Sequence, residues 1–162
     1  MAAEHTLGGS SSPRTITVML AVDKSIQAQE AFDFYADTLH VPGNRVVLVH
    51  VPEGPTVKLS EGMHLPDGEW QKMRDHEKKE TSQLVKIFAD KIAEKKITDS
   101  EYKTVHGTKP GEALVEAAKD IHATMIIIGT RGMGAMKRTL MGSVSTYVVH
   151  HAHVPVIICR TK

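Results

Sequence analysis

Short apolar runs alternate with longer segments of helical periodicity along almost all of this 162-residue chain. Thr15–Val22, Arg45–Val51, Met125–Ile128 and Val154–Cys159 are dominated by Val, Ile, Leu and Met. Glu101–Val105 is a shorter and more polar fifth run. Between them, Ile26–Leu39 places Ala28, Ala31, Phe32, Tyr35 and Leu39 at helical spacing. Glu69–Lys95 does the same with Leu84, Ile87, Phe88, Lys91 and Ile92, and Glu112–Ile121 with Leu114, Val115 and Ala118. Ser143–His151 completes the set of predicted helices. Strands joined through helices pair in parallel, because a crossover of that length returns the chain to the same end of the sheet. Near-continuous Val/Ile character in turn means burial on both faces. The expected fold class is therefore α/β: an open five-stranded parallel sheet with helices on both faces. Such sheets bind ligands beyond the carboxyl ends of their strands, where the strand order reverses.

Residues 1–12, with Gly8-Gly9-Ser10-Ser11-Ser12, read as a disordered tail, leaving 13–162 as one domain. Residues 52–68 hold three prolines and three glycines and read as a long loop. Twenty basic and nineteen acidic residues give a net charge of +1, which argues against a nucleic-acid partner. One Trp, three Tyr and three Phe are too few for a base-stacking sheet. No apolar run reaches the roughly 20 residues of a membrane span, and Met1–Pro13 lacks an apolar leader core. The single cysteine, Cys159, cannot form an internal disulfide, so a reducing cytoplasmic setting is expected.

The candidate site is the stretch 125–145. Strand Met125–Ile128 runs into Gly129; Gly132 follows, and after nine further residues Gly142-Ser143 opens a helix. A strand, a glycine loop and a hydroxyl-bearing helix N-terminus hold anions, through close backbone N–H groups and the positive end of the helix dipole. A Walker loop is excluded, since no lysine separates Gly142-Ser143 from Val144. A dinucleotide fingerprint is excluded because Lys137 stands at its third glycine.

The remaining pattern, Gly-x2-Gly-x9-Gly-Ser after a buried strand, resembles the nucleotide-binding signature of the universal stress protein (UspA-like) family. Ala21-Val22-Asp23, Val49-His50-Val51 and Val154-Pro155-Val156-Ile157-Ile158 extend the resemblance over about residues 14–160. The resemblance implies an adenine nucleotide alpha hydrolase-like, Rossmann-like sheet and membership of the family's ATP-binding branch. It implies that Asp23 contacts the ribose, that Ala21 and Val22 line an adenine pocket, and that Val51 holds the adenine edge through its backbone with Ile128 beside it. It places Gly129, Arg131, Gly132, Gly142, Ser143, Val144 and Ser145 around the phosphates of ATP, ADP or AMP. The residues support these roles in part on their own chemistry. A carboxylate at a strand end accepts ribose hydroxyls, though Asp23 is equally placed to cap the following helix. Ser143 and Ser145 fall in a first helical turn, where hydroxyls and amides both face an anion. Asp23 with phosphate oxygens would suit Mg²⁺ or Mn²⁺.

Other features read more simply. His150-His151-Ala152-His153 lies at a helix C-terminus, where imidazolium complements the dipole, and shows no acidic or thiol partner for a metal. His50, after a buried strand, is placed to flank the pocket and reads as a strand-end packing residue rather than a catalyst, Cys159 reads as a small hydrophobe, and the charges of Lys72–Lys96 as a solvated helix face. Met133, Met136 and Met141 would cover the pocket. No Gly-x-Ser-x-Gly elbow or water-activating base stands out, so catalysis is not expected beyond weak ATPase activity. Val154–Cys159, tolerant of Pro155 as an edge strand, is the expected homodimer seam, to which the resemblance also points. Three functions fit: an ATP-binding stress-response sensor or switch, a slow ATPase or phosphotransfer enzyme, and a nucleotide-free dimeric module.

Overall fold

The computed structural model describes residues 15–52, 67–130 and 141–160. Five strands, β1 (Thr17–Ala21), β2 (Arg45–His50), β3 (Ser100–Thr104), β4 (Met125–Gly129) and β5 (Val156–Cys159), form one sheet. Its order is β3-β2-β1-β4-β5, and every pairing is parallel. Four α-helices connect them: α1 (Ile26–Phe34), α2 (Asp67–Glu94), α3 (Pro110–Asp120) and α4 (Ser143–His151). The expected class and element order are present, and α4 has the predicted limits.

β1 is central, and all five of its residues are buried. Alternate side chains leave a strand on opposite faces. Val18 and Leu20 therefore join Val46, Leu48 and Ile127 against α1 and α2, around Phe32, Tyr35, Leu84 and Phe88. Met19 and Ala21 join Val47, Val49, Ile126 and Ile128 against α3 and α4, around Leu114, Val115, Ala118 and Val148. The two cores explain why β1, β2 and β4 carry apolar residues at successive positions. β3 is one edge, which explains its polar Ser-Glu-Tyr-Lys-Thr sequence. β5 is the other edge, half-buried at all four residues.

The predicted helix over Ile26–Leu39 divides into two. After Phe34 the chain widens into a π-helical turn, Tyr35–Leu39, in which the His40 amide donates to the Tyr35 carbonyl at 2.8 Å. Tyr35 is fully buried, and its hydroxyl meets His40 Nδ1 at 2.9 Å. That buried phenol needs a partner, which an apolar-periodicity reading does not register. β5 pairs two residues later than predicted, because Pro155 offers only its carbonyl, to the Ile126 amide at 2.9 Å. Helices α2 and α3 end in left-handed residues, Lys96 (φ 55°) and His122 (φ 52°).

Candidate functional site

A cleft of about 880 Å³ opens over the carboxyl ends of β1, β2 and β4. The order reverses between β1 and β4: from β1 the chain builds outward to β2 and β3, then crosses to β4 and β5. The cleft lies at this reversal, where neighbouring crossovers pass to opposite faces and leave the strand ends uncovered.

Ten of the residues singled out in the sequence line it: Ala21, Val22, Asp23, Val51, Ile128, Gly129, Gly142, Ser143, Val144 and Ser145. Arg131 and Gly132, with Met133, Met136 and Lys137, lie outside the described residues. The flanks of that stretch are tied together. The Gly142 amide donates to the Thr130 carbonyl at 2.6 Å, and the Thr130 amide donates to Cys159 at 2.9 Å. The start of α4 is thus pinned to the end of β4.

Gly142 is the N-cap of α4 and supplies no capping side chain. The first intrahelical bond runs from the Thr146 amide to the Gly142 carbonyl at 2.9 Å. The amides of Ser143, Val144 and Ser145 precede it and have no acceptor within the helix. With no acceptor for them among the described residues, these three donors at the positive end of the dipole have the geometry that suits an anion. The hydroxyls contribute differently from the sequence expectation. Ser145 is buried, and its hydroxyl donates back to the carbonyls of Thr130 at 3.1 Å and Gly142 at 3.0 Å. It has one proton, already committed to bracing the loop, so Ser145 offers the cleft its amide. Ser143 is exposed and keeps its hydroxyl for solvent or ligand.

Asp23 does not itself cap α1. Ser25 does, accepting from the Ala28 amide at 3.1 Å. Asp23 Oδ1 accepts from the Ser25 amide at 2.8 Å and from the Ser25 hydroxyl, holding the cap in place. Oδ2 is the oxygen the carboxylate can offer a ligand hydroxyl or a hard cation. Beside it, His50 Nδ1 lies 3.0 Å from the Val22 carbonyl. A carbonyl only accepts, so Nδ1 carries the proton and Nε2 is an acceptor. Burial holds the His50 pKa below its ordinary 6.5, outweighing the bond to Val22 and the charge of Asp23. His50 is therefore a neutral residue in the wall of the cleft, the flanking position its sequence suggests.

The wall that the sequence reading missed is the first half of α2. Trp70, Met73, Glu77, Glu80, Thr81 and Leu84 all line the cleft. Their spacing carries the Leu84-Ile87-Phe88 stripe back toward the start of the helix, and Trp70 is the only tryptophan in the chain. The stripe becomes polar where it leaves the core, which is why it passed for a solvated face. Lys24, next to Asp23, makes an ion pair with Glu80 and donates to Gln83 at 3.2 Å. That bond draws the Glu80 carboxyl below its usual range. Farther along, Lys91–Asp33 at 2.8 Å ties α2 to α1, and Lys95–Asp37 at 2.7 Å ties the residue after α2 to the π-helical turn.

Two glycines are set by packing. A Cβ at Gly129 would lie 2.9 Å from backbone atoms of Gln27, so the start of α1 approaches the end of β4 across a bare glycine. A Cβ at Gly111 would lie 2.8 Å from Tyr147, where α3 meets α4. Elsewhere, His151 stacks on Tyr147 at 3.8 Å and bonds its carbonyl. Among the described residues no group of three or more His, Cys, Asp or Glu is placed to hold a metal. Burial raises the Cys159 pKa, which disfavours the reactive thiolate. No helix among the described residues is long and apolar enough to cross a membrane.

The model of the universal stress protein family matches residues 16–160. A universal stress protein of Thermus aquaticus is 31% identical over 144 residues, covering 89% of this chain and 98% of the relative. An uncharacterized protein of Schizosaccharomyces pombe is 27% identical over 155 residues, covering 94% of this chain. The chain spans about a quarter of that relative's length, 24%. Among solved structures, UspA from Lactobacillus plantarum superposes with a TM-score of 0.73 at 19% identity, over 92% of this chain and all of the other. A universal stress protein from Archaeoglobus fulgidus in complex with dAMP is 26% identical, with a TM-score of 0.58 over 90% of this chain and 97% of the other. A universal stress protein in complex with cAMP, 20% identical, has a TM-score of 0.60 over 91% of this chain and 98% of the other.

Proposed function

The chain belongs to the universal stress protein family, and from that premise we propose that its cleft binds an adenine nucleotide, ATP or its shorter-chain relatives, as the input of a stress-response sensor or switch. The observation that carries this reading is that the first-turn amides of Ser143, Val144 and Ser145, which have no acceptor within α4, line the same cleft as Asp23. An anion site and a hydroxyl-accepting carboxylate on one cleft match a ribose phosphate. The apolar residues Ala21, Val22 and Ile128, with the end of β2 at Val51, supply the floor and edge that a purine would need. The dAMP complex of the Archaeoglobus fulgidus relative supports the same ligand class. Arg131 and Gly132, from the sequence signature, would complete the phosphate side.

Binding acts as a switch if it orders groups that a partner reads. Asp23 would be the residue to help hold a divalent cation, which would neutralise phosphate charge. A hydrolytic reading is weaker: His50 presents Nε2 to the cleft as an acceptor, but burial holds its pKa below 6.5 and makes it a weak base. The half-buried apolar edge β5 is the surface through which a second copy would pair, giving a cytoplasmic homodimer.

Calorimetric titration of ATP, ADP, AMP and GTP into wild type and Gly132→Val tests the assignment. Wild type should bind the adenine nucleotides, and an added side chain in the phosphate loop should abolish binding while leaving the circular dichroism spectrum unchanged. Equal affinity in the two proteins refutes the site.

A further inference from the structure

Helix α2 is built in two halves that differ in what holds them. From Leu84 onward it is rooted in the core: Leu84 and Phe88 are 1% and 0% exposed, and Phe32 packs edge-on to Phe88 at 5.6 Å. Ion pairs to Asp33 and Asp37 reinforce this half. From Gly68 to Gln83 not one residue is buried. Trp70, Met73, Glu77, Glu80 and Thr81 are half-buried, all on the face that covers the cleft.

The direct bonds that hold the first half down are polar and few among the described residues. Lys24 bonds Glu80 and Gln83, and His106 Nδ1 lies 3.5 Å from Glu77. Partly exposed contacts of this kind add little stability and break readily. At the junction the Ser82 hydroxyl donates to the Lys78 carbonyl at 2.8 Å, a bond that competes with the helix's own ladder. Segments with no buried apolar anchor open at low free energy while the rest of the domain stays folded.

We propose that residues 68–83 of α2 form a lid over the cleft, hinged next to Leu84 and latched by Lys24 through Glu80 and Gln83, and that the lid opens to admit and release the ligand. The latch lies at the junction of β1 and α1, one residue from Asp23, so the state of the lid is felt at the site itself. Trp70 and Met73 would close over whatever occupies the cleft. The lid rests on the nucleotide reading only for the identity of that occupant.

Hydrogen exchange on the full chain without ligand tests the lid directly, comparing wild type, Glu80→Gln and Lys24→Met. All three side chains involved are partly exposed, so the variants should fold. Amides of residues 71–83 should exchange about two- to fivefold faster in both variants, with residues 85–94 unchanged. A helix that exchanges as one unit, or variants that match wild type, overturns the proposal. Stopped-flow emission of Trp70 with ATP extends the test to function. Association and dissociation should both quicken in Glu80→Gln; unchanged rates overturn the lid. If calorimetry shows no ATP binding at all, the nucleotide reading fails, and the exchange experiment still decides the lid.

Discussion

Replacing Gly129 by alanine adds one methyl group at the point where α1 comes closest to the sheet. The new Cβ would sit 2.9 Å from the Gln27 carbonyl carbon and oxygen and 3.0 Å from Gln27 Cβ. Two of those three neighbours are backbone, so the contact cannot be relieved by turning a side chain. The first turn of α1 must shift, and with it the Ser25 cap and its brace, Asp23. Overpacking of this kind costs about 1–3 kcal/mol. For a chain of this length each kcal/mol moves the melting temperature by roughly 2–4 °C. Gly129→Ala should therefore melt roughly 2–12 °C below wild type. Gly68→Ala is the matched control. It adds the same methyl in the first turn of α2, where nothing among the described residues lies within 4 Å of the new atom. Reduced backbone freedom in the unfolded chain should then stabilise the helix by up to about 1 kcal/mol. Thermal melts followed by circular dichroism at 222 nm report both. The two substitutions should move the midpoint in opposite directions. If Gly129→Ala is as stable as wild type, the close approach of Gln27 does not constrain position 129 and the packing argument fails.

Two further outcomes follow from the structure. Burial depresses the His50 pKa below 6.5, so folded His50 resists a proton that the unfolded chain accepts. Its contribution is undiminished above that value, and stability falls as pH drops from 6.5 toward the depressed folded value; urea midpoints between pH 7.5 and 5 should fall less in His50→Gln than in wild type, and parallel curves would refute the role of burial. Sedimentation should show a dimer that Ile157→Lys, on the half-buried edge strand β5, weakens; a monomeric wild type at high concentration refutes pairing through β5.

The parts that were legible in the sequence share a cause. Strand and helix periods are local, so Val18–Ala21, Val46–Val49 and Ile126–Ile128 announce buried strands without help from the rest of the chain. Ser143–His151 is bounded by Gly142 on one side and His153-Val154-Pro155 on the other, and its limits were readable for that reason. Asp23 and Gly142–Ser145, which line one cleft, stand out in the sequence because strand ends and helix starts carry their chemistry in adjacent residues. The roles within that set were less legible. Ser145 looks the same in sequence whether its proton faces a ligand or the Thr130 carbonyl. Trp70, Met73, Glu77 and Glu80 share a helical face, and periodicity alone does not say what that face meets. Gly129 signals a bare backbone, but not that Gln27 is the atom set it admits.

By itself the sequence determined the class of fold. Apolar runs separated by helical crossovers leave a parallel sheet covered on both faces as the arrangement that buries them, and they put the glycines and hydroxyls at strand ends. It also determined that a helix start led by Gly142-Ser143 follows a buried strand. The tertiary structure decided the order β3-β2-β1-β4-β5, and with it which strand ends flank the cleft. It decided that α2 runs past its core anchor at Leu84 to cover the opening, and that Lys24 meets Glu80 across 56 positions of sequence. The division is physical. Period and cap chemistry act over a few residues and can be read in place, whereas the choice of neighbour depends on burial and charge brought together from distant parts of the chain.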